Sequence, residues 1–439
     1  MIDTTKSVSG VSYNGTSMEL IGTPQGEYHV KAIDYDGTIL KEAWLNTGDV
    51  FELPALPTHT GLTAQEWRCI QTITNNTVTV EDFDIVVGIL YTTTSGLNEF
   101  DIELTNDTGL EVTLNMEGGT EIDWGDGTTD TNTTHTYAST GSYTISTDHT
   151  KQIVNTNVGL FGQSASAPNY YVTHVRLGEA ILANPSFYKP FSACYNLTYI
   201  TVPKKVTDMG EFASYCYKLK SFVLPNLQAL YTNTFYFCTS LTDIVLYNNI
   251  QTIGSYSFGY CTSLKKLNLA LPNVSIIGSY AVARSGIEKL KLGTISNNTN
   301  YQCNGCYALQ EVIMTGGNLG TNSITNVFNQ CTNLKSITLP NSVTRIGTRT
   351  FLQCYFLPEI KIPSGVTDLD SQCFASCYNL VKYDFSSATA VPTLANTNAF
   401  SEINYLAKII VPDALYENWI VASNWATYAE HIVKASEVE

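Results

Sequence analysis

One short pattern recurs nine times in the C-terminal half of this 439-residue chain. It consists of an aromatic or apolar residue, two residues, a cysteine, two residues, a leucine and then a short apolar strand. A period of this length predicts a solenoid, because one such unit cannot bury its apolar face until a neighbouring turn stacks on it. The steps run from 21 to 25 residues, and the cysteine position is held by Cys194, Cys216, Cys238, Cys261, Ser285, Cys306, Cys331, Cys354 and Cys377.

Three columns of the repeat predict its core. Phenylalanine stands three residues before most of the cysteines, as at Phe351, and leucine stands three residues after them, as at Leu357. In the strand that follows, apolar residues such as Ile337 and Leu339 are two apart, so they share one side of the strand and are expected to point inward. Each unit then buries four or five apolar side chains, each contributing roughly 1.5–3 kcal/mol.

The unit from Ile346 to Pro363 reads IGTRTFLQCYFLPEIKIP. This pattern resembles the BspA-like leucine-rich repeats of bacterial surface proteins, parasite proteins and phage structural genes. The resemblance extends over about residues 190–412 and departs from the pattern at Ala213 and Ser285. It implies a solenoid that holds a partner on one flank.

Residues 30–67 contain a strand, a turn at Asp36-Gly37, a Leu53-Pro54 step and a closing Trp67. Their layout resembles the β-grasp repeats of internalin-type bacterial surface proteins. The resemblance implies a spacer or adhesion module.

Residues 121–147 read EIDWGDGTTDTNTTHTYASTGSYTIST. This segment resembles the core of a PKD domain, a small β-sandwich of extracellular and phage proteins. Its Asp-Gly turn predicts a hairpin, and Trp124, Tyr137 and Tyr143 are expected to supply an aromatic core.

We therefore predict a mostly β, modular protein in which small β domains precede a leucine-rich-repeat solenoid with a C-terminal helical cap. Asp413 is the expected N-cap of that last segment, and Leu415, Trp419, Ile420, Trp425 and Tyr428 are expected to cover the final turn. The predicted divisions are a β-grasp-like module at 1–97, a PKD/Ig-like sandwich at 98–150, a linker capping the start of the solenoid at 151–189, the repeats at 190–412 and the cap at 413–439.

Charge and composition restrict the classes of partner. The chain carries 23 basic and 39 acidic residues, a net charge of −16, and only 14% of its residues are charged. Such an acidic chain repels nucleic acid and anionic membranes, so we expect neither nucleic-acid binding nor membrane insertion. We also find no export signal and no apolar run long enough to cross a bilayer.

Candidate chemical sites are few, and we predict no catalytic residue and no cofactor. Cys303 and Cys306 form a CxxC pair, but both fall on core columns of the repeat, so buried free thiols are the simpler interpretation. Asp123, Asp126 and Asp130 cluster in the PKD-like hairpin and are a weak calcium candidate, although aspartate is also a common turn former.

The outward positions of the solenoid strands are the predicted binding surface. Unlike the core columns, they do not repeat one residue type, and Val223, Val245 and Ile313 are unusual for side chains that face only water. They would suit a partner or a contact in a homo-oligomer. The predicted face consists of Thr201, Val223, Val245, Asn268, Lys291, Ile313, Thr338, Lys361 and Asp384.

These features predict a non-enzymatic phage virion protein, a tail fibre or head decoration, that mediates adhesion. The N-terminal modules would contact other virion proteins, and the solenoid would contact a host surface protein or carbohydrate. A start at Met1 without an export signal favours a protein released by lysis. The alternatives are a bacterial cell-surface adhesin fragment and, as a remote third, a carbohydrate-active enzyme.

Overall fold

The structure is a computed structural model that describes residues 6–13, 18–24, 26–116, 121–148, 159–178, 189–207, 209–293, 302–319 and 325–438. Their regular secondary structure is mostly β-strand, and their helices are short and lie at the C-terminal end. The predicted fold class is confirmed: a solenoid of about ten turns follows smaller β structures.

A four-stranded sheet forms the part that we call the N-terminal module, residues 26–93. Its strand order is β4-β3-β8-β6, and β5 and β7 pair beside it, while β1 and β2 form a separate hairpin. Val30, Phe51, Val78 and Val87 fill its core. The strands are β1 Lys6–Tyr13, β2 Met18–Pro24, β3 Tyr28–Ile33, β4 Ile39–Leu45, β5 Val50–Glu52, β6 Leu62–Arg68, β7 Thr77–Thr79 and β8 Ile85–Thr93.

The next segment shares a sheet with the solenoid. Its strands are β9 Asn98–Leu104, β10 Glu111–Thr113, β11 Ile122–Asp123, β12 Thr129–Asp130, β13 Thr134–Thr136, β14 Gly141–Thr147 and β15 Val172–Arg176. The order β12-β11-β14-β9-β15 continues directly into β16 (Tyr199–Thr201), the first strand of the repeats. Trp124 and Tyr137 are buried as expected, and they belong to the same hydrophobic core as the solenoid.

The sheet and the core therefore continue across the predicted limits of the 98–150 segment. Residues 151–158 and 179–188 of the predicted linker lie outside the described residues.

The repeats build two rows of parallel strands. The first row has one strand per turn: β16, β17 Ser221–Val223, β19 Asp243–Val245, β21 Lys266–Leu269, β23 Lys289–Leu292, β24 Glu311–Met314, β25 Ser336–Thr338, β27 Glu359–Lys361, β29 Lys382–Asp384 and β31 Lys408–Val411. We number the turns 1 to 10 by these strands and call their outward surface the strand face. The second row consists of β18 Ala229–Leu230, β20 Thr252–Ile253, β22 Ile276–Ile277, β26 Arg345–Ile346, β28 Asp368–Leu369 and β30 Thr393–Leu394.

The predicted phenylalanine column forms a continuous stack in turns 7 to 10 of the solenoid. The ring centroids of Phe328, Phe351, Phe374 and Phe400 follow one another at 5.6, 5.3 and 5.5 Å, with nearly parallel planes. Every one of these rings is fully buried. The stack shows that equivalent residues of successive turns lie directly above one another, as the repeat period requires.

The cysteine column is buried and free of disulfides. Its thiols do more than fill space, since seven of them donate to a carbonyl oxygen of the preceding turn. Cys354 Sγ lies 3.3 Å from the Phe328 oxygen, and Cys377 Sγ lies 3.0 Å from the Phe351 oxygen. The same bond is made by Cys216, Cys238, Cys261, Cys306 and Cys331. Each of these carbonyl oxygens also accepts a backbone N–H of its own turn, as the Phe328 oxygen does from Cys331 at 3.1 Å. The thiol therefore adds a second hydrogen bond, which links the turn to the preceding one.

The residue before each cysteine position adopts a left-handed backbone conformation in every turn. The φ angles lie between 54° and 65° for Ala193, Tyr215, Phe237, Tyr260, Arg284, Gly305, Gln330, Gln353 and Ser376. Such a conformation costs a non-glycine residue about 1–2 kcal/mol. The backbone N–H of these residues bonds to the next turn, as from Tyr215 to the Tyr236 oxygen at 2.6 Å, which helps to offset the strain.

The C-terminal segment covers turn 10. It comprises a 3₁₀ helix at Asp413–Leu415, the helix α1 at Tyr416–Trp419, 3₁₀ helices at Trp425–His431 and Ala435–Glu437, and the strand β32 at Ile432–Lys434. Trp419, Trp425 and Tyr428 are buried in the solenoid core as predicted, with Leu415 and Ile420 packed beside them. The expected N-cap role of Asp413 is wrong. Pro412 holds that position, and the Asp413 carboxylate instead accepts the N–H of Ser436 at 3.0 Å.

Candidate functional site

The N-terminal module lies on the strand face of turns 1 to 5. Ile33 from β3 and Leu90 from β8 form a small buried cluster with Val223 of turn 2 and Val245 of turn 3. Valine at these two outward positions is thus explained by a contact within the chain. The expectation that these side chains face a separate partner is wrong, because the partner is the module itself.

Gly88 permits this close approach. A Cβ atom at Gly88 would stand 2.5 Å from Val223 Cγ2 and 2.8 Å from Val245 Cγ2. Both neighbours are β-branched side chains with little rotamer freedom, so they cannot move aside easily. The sheet of the module therefore packs on the solenoid only because one of its central residues has no side chain.

Three ion pairs surround the apolar contact and extend to turn 5. Lys31 of the module meets Asp243 of turn 3 at 2.6 Å, and the solenoid residues Lys266 and Lys291 pair with Asp84 and Asp82 of the module. The hydrogen bond from Lys291 holds the pKa of Asp82 below its usual value. Charge complementarity thus fixes the module over turns 3 to 5.

A second group of contacts holds the module over turns 1 to 3. The Tyr35 and Tyr199 rings lie 4.7 Å apart, and Ser221 Oγ donates to the Tyr35 carbonyl oxygen at 2.8 Å. The guanidinium of Arg68 lies 4.0 Å from the centre of the Tyr247 ring. Tyr199 and Ser221 hold equivalent positions at the start of β16 and β17, but no pattern in the sequence indicated that Tyr35 or Arg68 would contact the solenoid.

The nine predicted face residues fall into two groups. Thr201, Val223, Val245 and Lys291 are buried, with 1–7% of their surface exposed, and Asn268 is half-buried. For the four buried residues, the expectation of an open surface is wrong, because the module covers them, and Asn268 lies at its edge. Ile313 and Asp384 are half-buried and Thr338 and Lys361 are exposed, so the predicted face remains open from turn 6 onward.

The open part of the strand face carries a shallow groove of about 290 Å³ on turns 7 to 9. Its lining includes Lys335, Ser336, Glu359, Lys361, Lys382 and Asp384. Three lysines against two carboxylates give this area a slight positive charge in a chain whose net charge is −16. The Nζ atom of Lys382 lies 3.3 Å from Glu359, while Lys361 is exposed and has no ion pair among the described residues.

The three aspartates of the weak calcium candidate serve as turn caps. Asp123 accepts the N–H of Gly125 at 2.9 Å, Asp126 bonds His135 Nε2 at 2.8 Å, and Asp130 accepts the N–H of Asn132 at 2.9 Å. Across the described ranges, no set of three or more His, Cys, Asp or Glu side chains is arranged to hold a metal ion.

The CxxC pair lies in the core columns where the repeat places it. Cys303 and Cys306 are both fully buried, so neither thiol has the solvent access that redox exchange requires. In the part of the chain that the structure describes, no helix has the length and apolarity to span a bilayer.

Comparison with known proteins identifies the repeats. Residues 228–325 and 321–418 match the BspA type leucine rich repeat region, in six copies. A search of curated proteins found no match to this chain.

Among solved structures, a leucine-rich repeat protein from Bacteroides ovatus is similar with a TM-score of 0.50 and 20% identity. The similar region covers 60% of this chain and 66% of that one, which is just under two thirds of its length. A leucine rich cell surface protein from Faecalibacterium prausnitzii is 21% identical, over 53% of this chain and 71% of that one, with a TM-score of 0.27.

The pneumococcal vaccine antigen PcpA is 13% identical, over 65% of this chain and 92% of that one, with a TM-score of 0.27. At these identities, the likeness to the Bacteroides ovatus protein is one of fold. The family match and the stacked cysteine and phenylalanine columns together identify residues 228–418 as BspA-type leucine-rich repeats.

Proposed function

We propose that this protein is a non-enzymatic adhesin that holds a surface protein on the open strand face of turns 6 to 9. The observation that carries the proposal is the contrast between the covered and the open parts of one continuous face. A solenoid face that its own chain leaves uncovered is a ready docking surface, since its strands are held rigid by the stack beneath them.

The chemistry of the open area favours a protein as the partner. Lysines and carboxylates alternate across Glu359, Lys361, Lys382 and Asp384, with hydroxyl side chains at Ser336 and Thr338. Such a mixture suits a partner surface with its own charges of both signs, and it gives specificity more than raw affinity. Polar and charged side chains make up most of the lining of this groove, which disfavours an apolar ligand.

A charge reversal on this face tests the proposal. Fluorescently labelled full-length protein carrying Lys361→Glu is expected to bind a panel of gut bacterial strains severalfold less than the parent protein. Arg349→Glu is the matched control. It makes the same change in charge outside the strand face, just after β26 of the second row, where Arg349 is exposed and donates to Gln372.

If Lys361→Glu binds as the parent does while the parent binds cells, the adhesive surface lies elsewhere. Mild protease treatment of the cells should abolish binding, since the proposed partner is a protein. Binding that survives the treatment would contradict that part of the proposal.

We also propose a phage particle as the setting, with a bacterial cell surface as the alternative. The support is the combination of internalin-like, PKD-like and leucine-rich-repeat segments in one chain. Because the inner side of the N-terminal module is occupied by the solenoid, contact with other virion proteins would use its outer side. Mass spectrometry of purified phage particles should detect this chain. Finding it only in bacterial envelope fractions would overturn the virion assignment.

A further inference from the structure

A polar groove of about 600 Å³ lies where the sheet of residues 98–147 joins turns 1 and 2. It is separate from the open strand face, because the N-terminal module covers the turns between them. Its volume is within the range of about 300–1,000 Å³ typical of sites for small ligands. The lining includes Asp101, Glu103, Thr144, Arg176, Asn196 and Lys218.

The floor of the groove is held rigid by a network centred on Asp101. Arg176 donates to both Asp101 oxygens, at 2.5 and 2.7 Å, and His174 Nδ1 lies 3.0 Å from Oδ2. Thr144 Oγ1 donates to the same carboxylate at 2.8 Å. Burial alone would raise the pKa of Asp101, but the bonds from His174 and Arg176 hold it well below the usual range. A site with such a framework loses little entropy when it binds.

Two charged side chains at the groove are uncommitted. Glu103 and Lys218 are exposed, and within the described ranges neither side chain makes an ion pair or a hydrogen bond. With Asp101 and Arg176, the lining holds two carboxylates and two permanent cations, which balance. A balanced set of donors and acceptors matches a neutral ligand rich in hydroxyl groups better than a polyanion or a polycation.

Three tyrosines, Tyr170, Tyr195 and Tyr217, neighbour lining residues of the groove, and we call them its aromatic border. Tyr195 and Tyr217 directly precede the lining residues Asn196 and Lys218, and their ring centroids lie 4.6 Å apart. The ring of Tyr170, which is 51% exposed, lies 5.3 Å from Tyr195. Asn196 is held beside them by its bond to the Tyr170 oxygen at 2.5 Å. Aromatic rings next to polar side chains can pack against the C–H face of a sugar while its hydroxyl groups are hydrogen-bonded.

We propose that this groove binds a neutral oligosaccharide. Its hydroxyl groups would bond Glu103, Lys218 and Asn196, and one of its rings would pack against Tyr170 or Tyr195. The balanced charge, the size of the groove and the aromatic border together support this occupant. The net charge of −16 disfavours a nucleic acid at the same place.

Titration calorimetry with full-length protein tests the site. The probes are hexasaccharides of the cello-, malto-, xylo-, manno- and chito-series, with a heparin hexasaccharide as the anionic comparison. At least one neutral probe should bind. Glu103→Ala, Lys218→Ala and Tyr170→Ala, all at exposed side chains, should each weaken that binding by about tenfold, which corresponds to about 1.4 kcal/mol. Lys361→Glu on the open strand face should leave it unchanged.

Three results would overturn the proposal: no neutral probe binds, heparin alone binds, or the neutral probe binds equally well to all three groove variants. Circular dichroism melting of each variant separates loss of binding from loss of fold. Because the proposed adhesion to cells depends on Lys361 and not on Glu103, either proposal can fail while the other stands.

Discussion

Turns 1 to 5 and turns 6 to 10 share one core and differ in what covers them. Both halves stack phenylalanine, cysteine and leucine in the same columns, as at Phe235 and Phe351. On the strand face, however, the first half lies under the N-terminal module, while the second is open at Thr338 and Lys361. The inward columns therefore specify that a turn forms, and the outward residues specify what lies on it.

The two halves also differ on the side of the cysteine turns. In turns 2 to 4, the left-handed position before the cysteine is held by Tyr215, Phe237 and Tyr260, whose rings stack at 5.4 and 4.2 Å. In turns 6 to 9, the same position is held by Gly305, Gln330, Gln353 and Ser376. At this one position, aromatic rings are thus confined to the half of the solenoid that already carries the module and the polar groove.

If the two halves share one core, removing a stacked ring should have the same effect in each. Phe235→Ala and Phe351→Ala should each lower the free energy of unfolding by about 3–5 kcal/mol, because each leaves a cavity in a close-packed column. Chemical denaturation followed by circular dichroism measures this. A large cost in one half and a small cost in the other would show that the cores differ.

Docking of the N-terminal module on turns 1 to 5 should be sensitive to one methyl group added at Gly88. Gly88→Ala would place a Cβ against Val223 and Val245, and we expect a cost of about 1–3 kcal/mol and displacement of the module. Limited proteolysis of the module measures the displacement. Gly365→Ala is the matched control, because its Cβ would meet nothing closer than 3.4 Å. Equal effects of the two substitutions would contradict the docking that we describe.

The cysteine column allows a finer comparison of the two halves. Cys216→Ala and Cys354→Ala should each cost about 0.5–1.5 kcal/mol, since the carbonyl oxygen of the preceding turn loses one of its two donors. Serine at either position should cost less than alanine, because it keeps a donor and already stands in this column at Ser285. Thermal melting of the alanine and serine variants gives the order of their stabilities. If alanine is tolerated better than serine, the thiols act only as apolar filler.

Low pH should weaken docking of the N-terminal module by a smaller amount. The pKa of Asp82 is lowered by Lys291, so the pair stabilises docking above the unperturbed value of about 3.9 and loses that contribution as the pH falls below it. Asp82 is largely exposed, so we expect less than about 1 kcal/mol. Proteolysis of the module by pepsin between pH 5 and 3 measures this weakening. Susceptibility of the module that does not change over this interval would show that the pair contributes nothing.

The sequence predicts the core of this protein far better than its exterior. The positions of Phe351, Cys354 and Leu357 follow from spacing alone, because every turn must satisfy the same stacking geometry. The sequence also indicated part of the covered surface, since valine at the outward positions 223 and 245 is unusual for side chains that face only water. What covers them could not be predicted, because Ile33 and Leu90 are far away in the chain and belong to no repeated pattern.

The polar details were beyond the sequence for a different reason. The hydrogen bond donated by the Cys354 thiol depends on where the preceding turn places its carbonyl groups. The left-handed backbone at Gln353 depends in the same way on the following turn. The groove around Asp101 depends on β9 pairing with β15, which joins the sheet of residues 98–147 to the solenoid. The sequence patterns that predicted these two parts do not predict how the parts pair with each other.

Lysine labelling of the intact protein tests the division of the strand face most directly. Brief acetylation at neutral pH, followed by mass spectrometry, reports the accessibility of each lysine. We predict that Lys31 and Lys291, both paired across the docked module, react many times more slowly than Lys361 on the open turns. Equal rates for Lys291 and Lys361 would mean that the module does not lie on the solenoid, and the distinction between its two halves would be lost.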